Sequence, residues 1–114
     1  MKAFTDISQS KKLAEFLPIE SADMCWTPFD EKWDAYLGAP NPDAIKKEIP
    51  CWSLASLLDI LDYPQLSKNK LGSDKTGWMV SVYPDNCRYD SCWHNNPIDA
   101  CYEMIIKLHE LNLL

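Results

Sequence analysis

The sequence predicts an α+β fold in which about three helices pack on a small, mainly antiparallel sheet. Three observations support this prediction: strand-like residues at 77–83, a second strand-like run at 88–94, and a capped amphipathic helix that follows them. The first run alternates apolar and polar side chains with the period of a half-buried strand. The C-terminal part is therefore a β-hairpin followed by an amphipathic helix, within a single domain of 114 residues.

The hairpin turns at 84–86, where proline fixes φ and the Asp and Asn that follow tolerate unusual backbone angles. In the return strand, Trp93 belongs to one face, whereas Asp90, Cys92 and His94 belong to the other. We expect the Trp93 face to point into the core.

The last helix has strong local start signals. Asn96 is a good N-cap, and Pro97 suits the first helical position. Apolar residues then recur at helical spacing, which is typical of a helix packed on a core. The predicted core comprises Leu54, Leu57, Leu58, Leu61, Val80, Val82, Trp93, Ile98, Cys101, Ile105 and Leu108.

The N-terminal half begins with a predicted helix at 7–17, which Asp6 or Ser8 caps and Pro18 ends. A less regular hairpin follows.

Its strands are predicted at 23–29 and 33–37, with a turn at 30–32. Pro28 suggests an edge position or an irregular pairing for the first of them, because proline has no N–H to donate.

The middle of the chain holds a Pro- and Gly-rich loop at 38–43. Residues 44–49 predict a short strand, with a capped helical turn as the alternative. Ser53 is a fair N-cap for a second helix, whose leucine stripe ends at Leu61. Residues 65–76 are polar and contain three lysines, which predicts a solvated loop.

Composition excludes several classes of protein. The net charge of −6 argues against sequence-independent binding to nucleic acid, which requires Lys and Arg on the phosphates. The sequence has no apolar run of transmembrane length and no apolar segment of a signal peptide, so we expect a cytoplasmic protein without a membrane partner. Five cysteines, an odd number, predict free thiols in a reducing compartment.

Enzyme motifs are scarce. With three glycines there is no phosphate-binding loop and no dinucleotide fingerprint, and with two histidines there are few general bases. We therefore predict no cofactor and no assigned catalytic residue.

One set of residues has the composition of a zinc site: Cys87, Cys92, His94 and Cys101. Its spacing is not that of a familiar zinc ribbon or finger, and free cysteines are the alternative. A Cys92–His94 catalytic pair is a weaker hypothesis, because side chains two apart on a strand are separated by roughly 6.5–7 Å.

The tryptophans suggest a different function. Trp26, Trp33 and Tyr36 lie in the predicted N-terminal hairpin, and together they would form an aromatic patch suited to a protein partner. The alternative is an aromatic-rich core.

Three short runs carry a resemblance: ADM at 22–24, PCWSL at 50–54 with two leucines at 57–58, and PIDACYEM at 97–104. The chain from 8 to 114 resembles short uncharacterised proteins of prophages and mobile elements of gut bacteria. The resemblance implies a small bacterial or phage protein of the cytoplasm, and it implies no activity.

We therefore expect a non-enzymatic accessory or protein-interaction protein, with a protein partner of unknown identity. The alternative is a small metal- or thiol-dependent module that uses Cys87, Cys92 and His94. Binding of a sugar or nucleobase on aromatic side chains is a third hypothesis.

Overall fold

The computed structural model describes residues 1–29, 32–38, 48–72 and 75–114. In these residues the chain forms three α-helices and two antiparallel sheets of three strands each, which confirms the predicted α+β class. The helices are α1 (Ile7–Ala14), α2 (Leu54–Ile60) and α3 (Pro97–Glu110). The first sheet contains β1 (Met24–Phe29), β2 (Lys32–Leu37) and β3 (Ile49–Cys51), and the second contains β4 (Gln65–Lys70), β5 (Thr76–Val82) and β6 (Tyr89–Asp90).

All three helices begin at the predicted caps. The Asp6 carboxylate accepts a hydrogen bond from the Gln9 N–H at 2.7 Å, and the Asp6 N–H donates to the Gln9 side-chain oxygen at 3.1 Å, which completes a capping box. Ser53 caps α2 and Asn96 caps α3 through a side-chain oxygen that accepts from the N–H three residues later. Helix α1 ends three residues before the predicted end at 17, because its last part closes as a turn before Pro18.

The N-terminal hairpin is confirmed for the residues described. β1 pairs antiparallel with β2 along its whole length, and the predicted turn lies partly outside the described residues at 30–31. β1 is the central strand of its sheet, so Pro28 does not lie on an edge strand, and the pairing is irregular as the alternative expected. Pairing of β1 with β3 extends only from Met24 to Trp26, so Pro28 lies beyond it.

The prediction of a loop at 65–76 is wrong, because β4 occupies its first half. The whole of β4 pairs with β5, from Gln65 opposite Ser81 to Lys70 opposite Thr76. β4 is an outer strand of the second sheet, which is why most of its side chains are polar. Its Leu66 side chain packs against the core. The predicted loop at 38–43 and short strand at 44–49 lie mostly outside the described residues, and β3 begins at Ile49.

The return strand of the C-terminal hairpin is shorter than predicted and contains an irregularity. Ser81 lies opposite Asp90, but Trp78 lies opposite His94, so three steps along β5 match four along the return segment. This extra residue is the signature of a β-bulge, and it shifts the alternation of the side chains. Ser91 still lies on the buried side, and its hydroxyl accepts a hydrogen bond from the Val80 N–H. The shift comes after Ser91, because His94 rather than Trp93 lies opposite Trp78.

The bulge explains why Trp93 does not lie in the core as predicted. Its side chain is 40% exposed, and its ring and the Leu71 side chain lie against Gly77, where an added Cβ would come within 2.8 Å of Leu71 Cγ and 3.1 Å of Trp93 Cε3. The glycine thus permits the close approach of the indole to the strand.

Helix α3 is the centre of the core. Ile98, Cys101, Ile105 and Leu108 are buried as predicted, and α3 packs on β5 and α2. Val80, Val82, Leu57 and Leu61 are buried too, whereas Leu54 and Leu58 are partly buried against the core. The largest fully buried side chain, Trp52, was not among the predicted core residues. No helix among the described residues is long and apolar enough to cross a membrane.

Thr5 connects the first sheet to this core. It is fully buried, and its N–H donates to the Trp52 carbonyl at 2.9 Å. Its hydroxyl accepts from the Trp52 N–H at 3.1 Å and shares a hydrogen bond with the Ser10 hydroxyl at 2.8 Å. Its carbonyl accepts from the Trp26 indole N–H at 3.1 Å. One residue therefore joins the N-terminal segment to α1, β1 and the segment between β3 and α2.

We predict that Thr5→Val lowers the free energy of unfolding by about 1–3 kcal/mol, because the shape is kept while the buried Trp52 N–H loses its acceptor. The matched change Thr76→Val, on an exposed strand position, should cost less than about 0.5 kcal/mol. Urea denaturation followed by tryptophan fluorescence measures both. Equal effects of the two substitutions would contradict the role given to Thr5.

Candidate functional site

β2, one of the two outer strands of the first sheet, exposes two aromatic side chains and one leucine. Trp33 is 39% exposed, Tyr36 is 49% exposed and Leu37 is 86% exposed. The strand order is β2-β1-β3, so β2 has a strand partner on one side only among the residues that the structure describes. We call Lys32–Leu37 the edge strand.

The pairing of β1 with β2 shows which side chains share a face. Directly opposite residues in an antiparallel pair point to the same side of the sheet. Trp26 lies opposite Ala35 and Trp33 opposite Pro28, whereas Tyr36 lies opposite Cys25. With the alternation along each strand, this places Trp26 and Trp33 on one face and Tyr36 on the other. The structure therefore does not gather the three predicted rings into one patch.

Trp26 has a structural role. Its side chain is half-buried, and its ring meets Phe4 edge-to-face with 5.5 Å between the centroids. Its indole N–H is bonded to the Thr5 carbonyl. Of the three predicted site residues, Trp33 and Tyr36 present free surface, and Leu37, which the sequence analysis did not select, exposes the largest fraction.

The edge strand thus has two kinds of side chain. Trp33, Ala35 and Leu37 form an apolar row on one face, and Lys32, Asp34 and Tyr36 form a polar row on the other. The outer backbone groups of such a strand can pair with another extended chain, while the rows give specificity.

The predicted zinc set is not brought together. Cys101 is fully buried in α3, where burial raises the pKa of its thiol to about 12, whereas Cys87 and Cys92 are exposed. His94 lies 3.0 Å from Glu103, measured between Nε2 and Oε1. In the described part of the chain, no three His, Cys, Asp or Glu side chains are placed to hold a metal ion.

Cys92 and His94 do line a common groove of about 690 Å³ along α3. Glu103 connects them, because its second carboxylate oxygen accepts a hydrogen bond from the Cys92 N–H at 2.8 Å. The sequence analysis missed Glu103, which falls on the polar side of a helix selected for its apolar stripe. Its contacts fasten the segment after the bulge to α3.

The other end of the groove is internally paired. Lys2 Nζ lies 2.9 Å from both Asp6 and Asp99, and Gln9 donates to Asp99 at 2.8 Å. Partial burial raises the pKa of Asp99, but the hydrogen bonds from Lys2, Gln9 and Asn96 outweigh it and hold that pKa below the ordinary value. These charged groups hold the N-terminal segment against α3, and none of them is left over for a substrate.

The chain matches no family model, no curated protein sequence and no solved structure. The functional argument therefore depends on the geometry of the edge strand and the groove.

We predict two classes of thiol in the native protein. Cys87 and Cys92 are exposed and should react rapidly with a disulfide reagent such as DTNB, whereas the buried Cys25, Cys51 and Cys101 should react only on unfolding. Burial raises the pKa of all three buried thiols, which keeps them protonated at neutral pH. Rapid reaction of more than the two exposed thiols would contradict this placement.

We predict a pH-dependent contribution from Glu103. Partial burial raises its pKa, but hydrogen bonds from the Cys92 N–H and from His94 outweigh burial and hold the pKa below the ordinary value of 4.5. The stabilisation is therefore complete above pH 4.5 and disappears as the pH falls through the lower folded-state pKa.

Accordingly, Glu103→Gln should destabilise the protein by about 1 kcal/mol at pH 7. The difference from the wild type should shrink as the pH falls below about 4.5, as urea titrations at several pH values would show. Glu110→Gln, at an exposed carboxylate on the same helix, is the control. A difference that does not depend on pH would rule out the proposed ionic contribution.

Proposed function

We propose that this protein is a non-enzymatic protein-interaction protein whose binding element is the edge strand, Lys32–Leu37. The observation that carries the proposal is the exposure of Trp33, Tyr36 and Leu37 within a single outer strand. Tryptophan and tyrosine are enriched among the residues that dominate binding energy, because each brings a large contact area at low entropic cost.

The other outer strands of the two sheets support this choice by contrast. β4 is also an outer strand, but Lys68 and Lys70 and several uncharged polar residues occupy it, which is a common protection against unwanted pairing. β3 is three residues long, and α1 packs against it. The edge strand has six residues and no proline, with Lys32 its one basic side chain.

The groove along α3 offers less support for the alternative of a metal- or thiol-dependent module. Lys2 pairs with Asp6 and Asp99, His94 pairs with Glu103, and Cys87 is not among the lining residues. We assign the groove residues to holding the N-terminal segment and the bulge segment on α3.

The five free cysteines favour a reducing compartment, and we include a cytoplasmic location in the proposal. The resemblance to short proteins of prophages and mobile elements stays a prediction, and an accessory protein that binds another protein would fit that setting.

We predict that a photo-crosslinking residue placed at Trp33 captures a protein partner in cells that express the chain, whereas the same residue at Tyr63, which is 90% exposed, does not. Mass spectrometry of the crosslinked species identifies the partner, including a second copy of the chain.

The added substitution Leu37→Lys should abolish capture at position 33, because it places a charge in the apolar row. Tyr63→Lys is the matched surface control and should leave capture unchanged. Capture that survives Leu37→Lys, or equal capture from positions 33 and 63, would argue against the edge strand as the binding element.

A further inference from the structure

We propose that the partner of the edge strand is the edge strand of a second copy, paired antiparallel with Ala35 opposite Ala35 across a two-fold axis. This inference depends on the proposed function and names the occupant of that same strand. The first sheet of one copy and the first sheet of the other would then form one sheet of six strands.

Symmetry limits the possible registers. Two antiparallel strands in one sheet are related by a two-fold axis normal to the sheet, which leaves each face on its own side. Opposite residues must lie on the same face of the sheet. A register that put a residue opposite its sequence neighbour in the other copy would break this rule, so one residue must lie opposite itself at the axis. Along the edge strand, the candidates at the axis are Trp33, Asp34, Ala35 and Tyr36.

The chemistry of the side chains separates these registers. With Asp34 at the axis, two carboxylates face each other, which is unfavourable. With Trp33 or Tyr36 at the axis, the paired stretch shortens to one end of the strand, and two bulky rings meet on the axis.

With Ala35 at the axis, pairing runs from Trp33 to Leu37. A small side chain lies at the centre, and each Trp33 lies opposite the Leu37 of the other copy. On the second face, each Asp34 lies opposite the other copy's Tyr36, whose hydroxyl can donate to the carboxylate. No two like charges face each other in this register.

This register covers the surface that the single chain leaves exposed. Leu37, at 86% exposed, and Trp33, at 39%, pack on each other twice by symmetry. The other outer strands offer less, because β4 would bring its lysine-bearing row against itself, and β3 and β6 have only three and two residues. A strand pair of this length buries less area than the roughly 1,600 Å² of a standard interface, so we expect a dissociation constant of about micromolar size.

Sedimentation velocity over a range from about 1 to 500 μM tests the association, bracketing that micromolar expectation. The full chain should shift from the monomer mass of 13.1 kDa to twice that value as concentration rises. Leu37→Lys should weaken association at least about tenfold, which corresponds to 1.4 kcal/mol. Tyr63→Lys should leave it unchanged.

Cysteine crosslinking tests the register. In a Cys87→Ser, Cys92→Ser background, which removes the exposed thiols, Ala35→Cys should form a disulfide with itself under mild oxidation. Opposite Cα atoms in an antiparallel pair are about 4.5–5.5 Å apart, within the range that a disulfide spans. A mixture of Trp33→Cys and Leu37→Cys chains should crosslink as a heterodimer. Lys70→Cys, on the outer strand of the second sheet, is the control and should not crosslink.

The outcomes separate this inference from the proposed function. A chain that stays monomeric and does not crosslink through position 35 overturns the inference, and the function stands if position 33 still captures another protein in a Leu37-dependent manner. A dimer that is insensitive to Leu37→Lys overturns it as well, because association then uses another surface. Loss of both association and capture would overturn the inference and the function together.

Discussion

The polar groups of Thr5 impose the constraint on which the attachment of the first sheet to the core depends. Thr5 is fully buried, and its N–H, carbonyl and hydroxyl are all hydrogen-bonded. Because an unpaired buried polar group costs more than a hydrogen bond contributes, these partners must stay together in the folded state. They include Trp26 of β1 and Trp52, which leads from β3 into α2. β1 and the segment after β3 are thereby fixed to the core, and among the described strands β2 pairs with β1 alone.

The parts of the fold that sequence predicts well are those with local causes. Asn96 and Ser53 cap their helices through side-chain contacts three residues away, so the signal is contained in a few neighbouring positions. β4 has no such signal, because its polar side chains face water and its backbone bonds to β5 hold it in place. Trp93 shows a second limit: one extra residue in the return segment reverses the alternation, and period-two patterns do not reveal where a bulge lies.

The sequence predicts which hairpin carries the candidate site, but it does not predict which side chains share a face there. The N-terminal hairpin does hold exposed aromatic residues, but the face that each ring occupies follows from the register of β1 with β2. Trp26 became a structural residue because Phe4 and Thr5, distant in sequence, pack and bond against it. Leu37 was overlooked since a leucine beside two aromatic residues gives no sign in sequence of being 86% exposed. Cys101 likewise shares a residue type with Cys92 and differs from it entirely in burial.

The energetic contrast between the outer strands β2 and β4 is the strongest reason to propose binding at β2. Apolar surface in contact with water costs about 25 cal/mol per Å², and nothing in the backbone geometry of a strand requires it to carry such surface. β4 meets the same topological situation with lysine and other polar side chains, so this chain is able to build a protected edge. Under the proposal, a strand laid beside β2 would cover Trp33 and Leu37, which are exposed in the single chain. It would also bond to the outer backbone groups of β2 at the same positions, which is how an edge strand binds an extended chain.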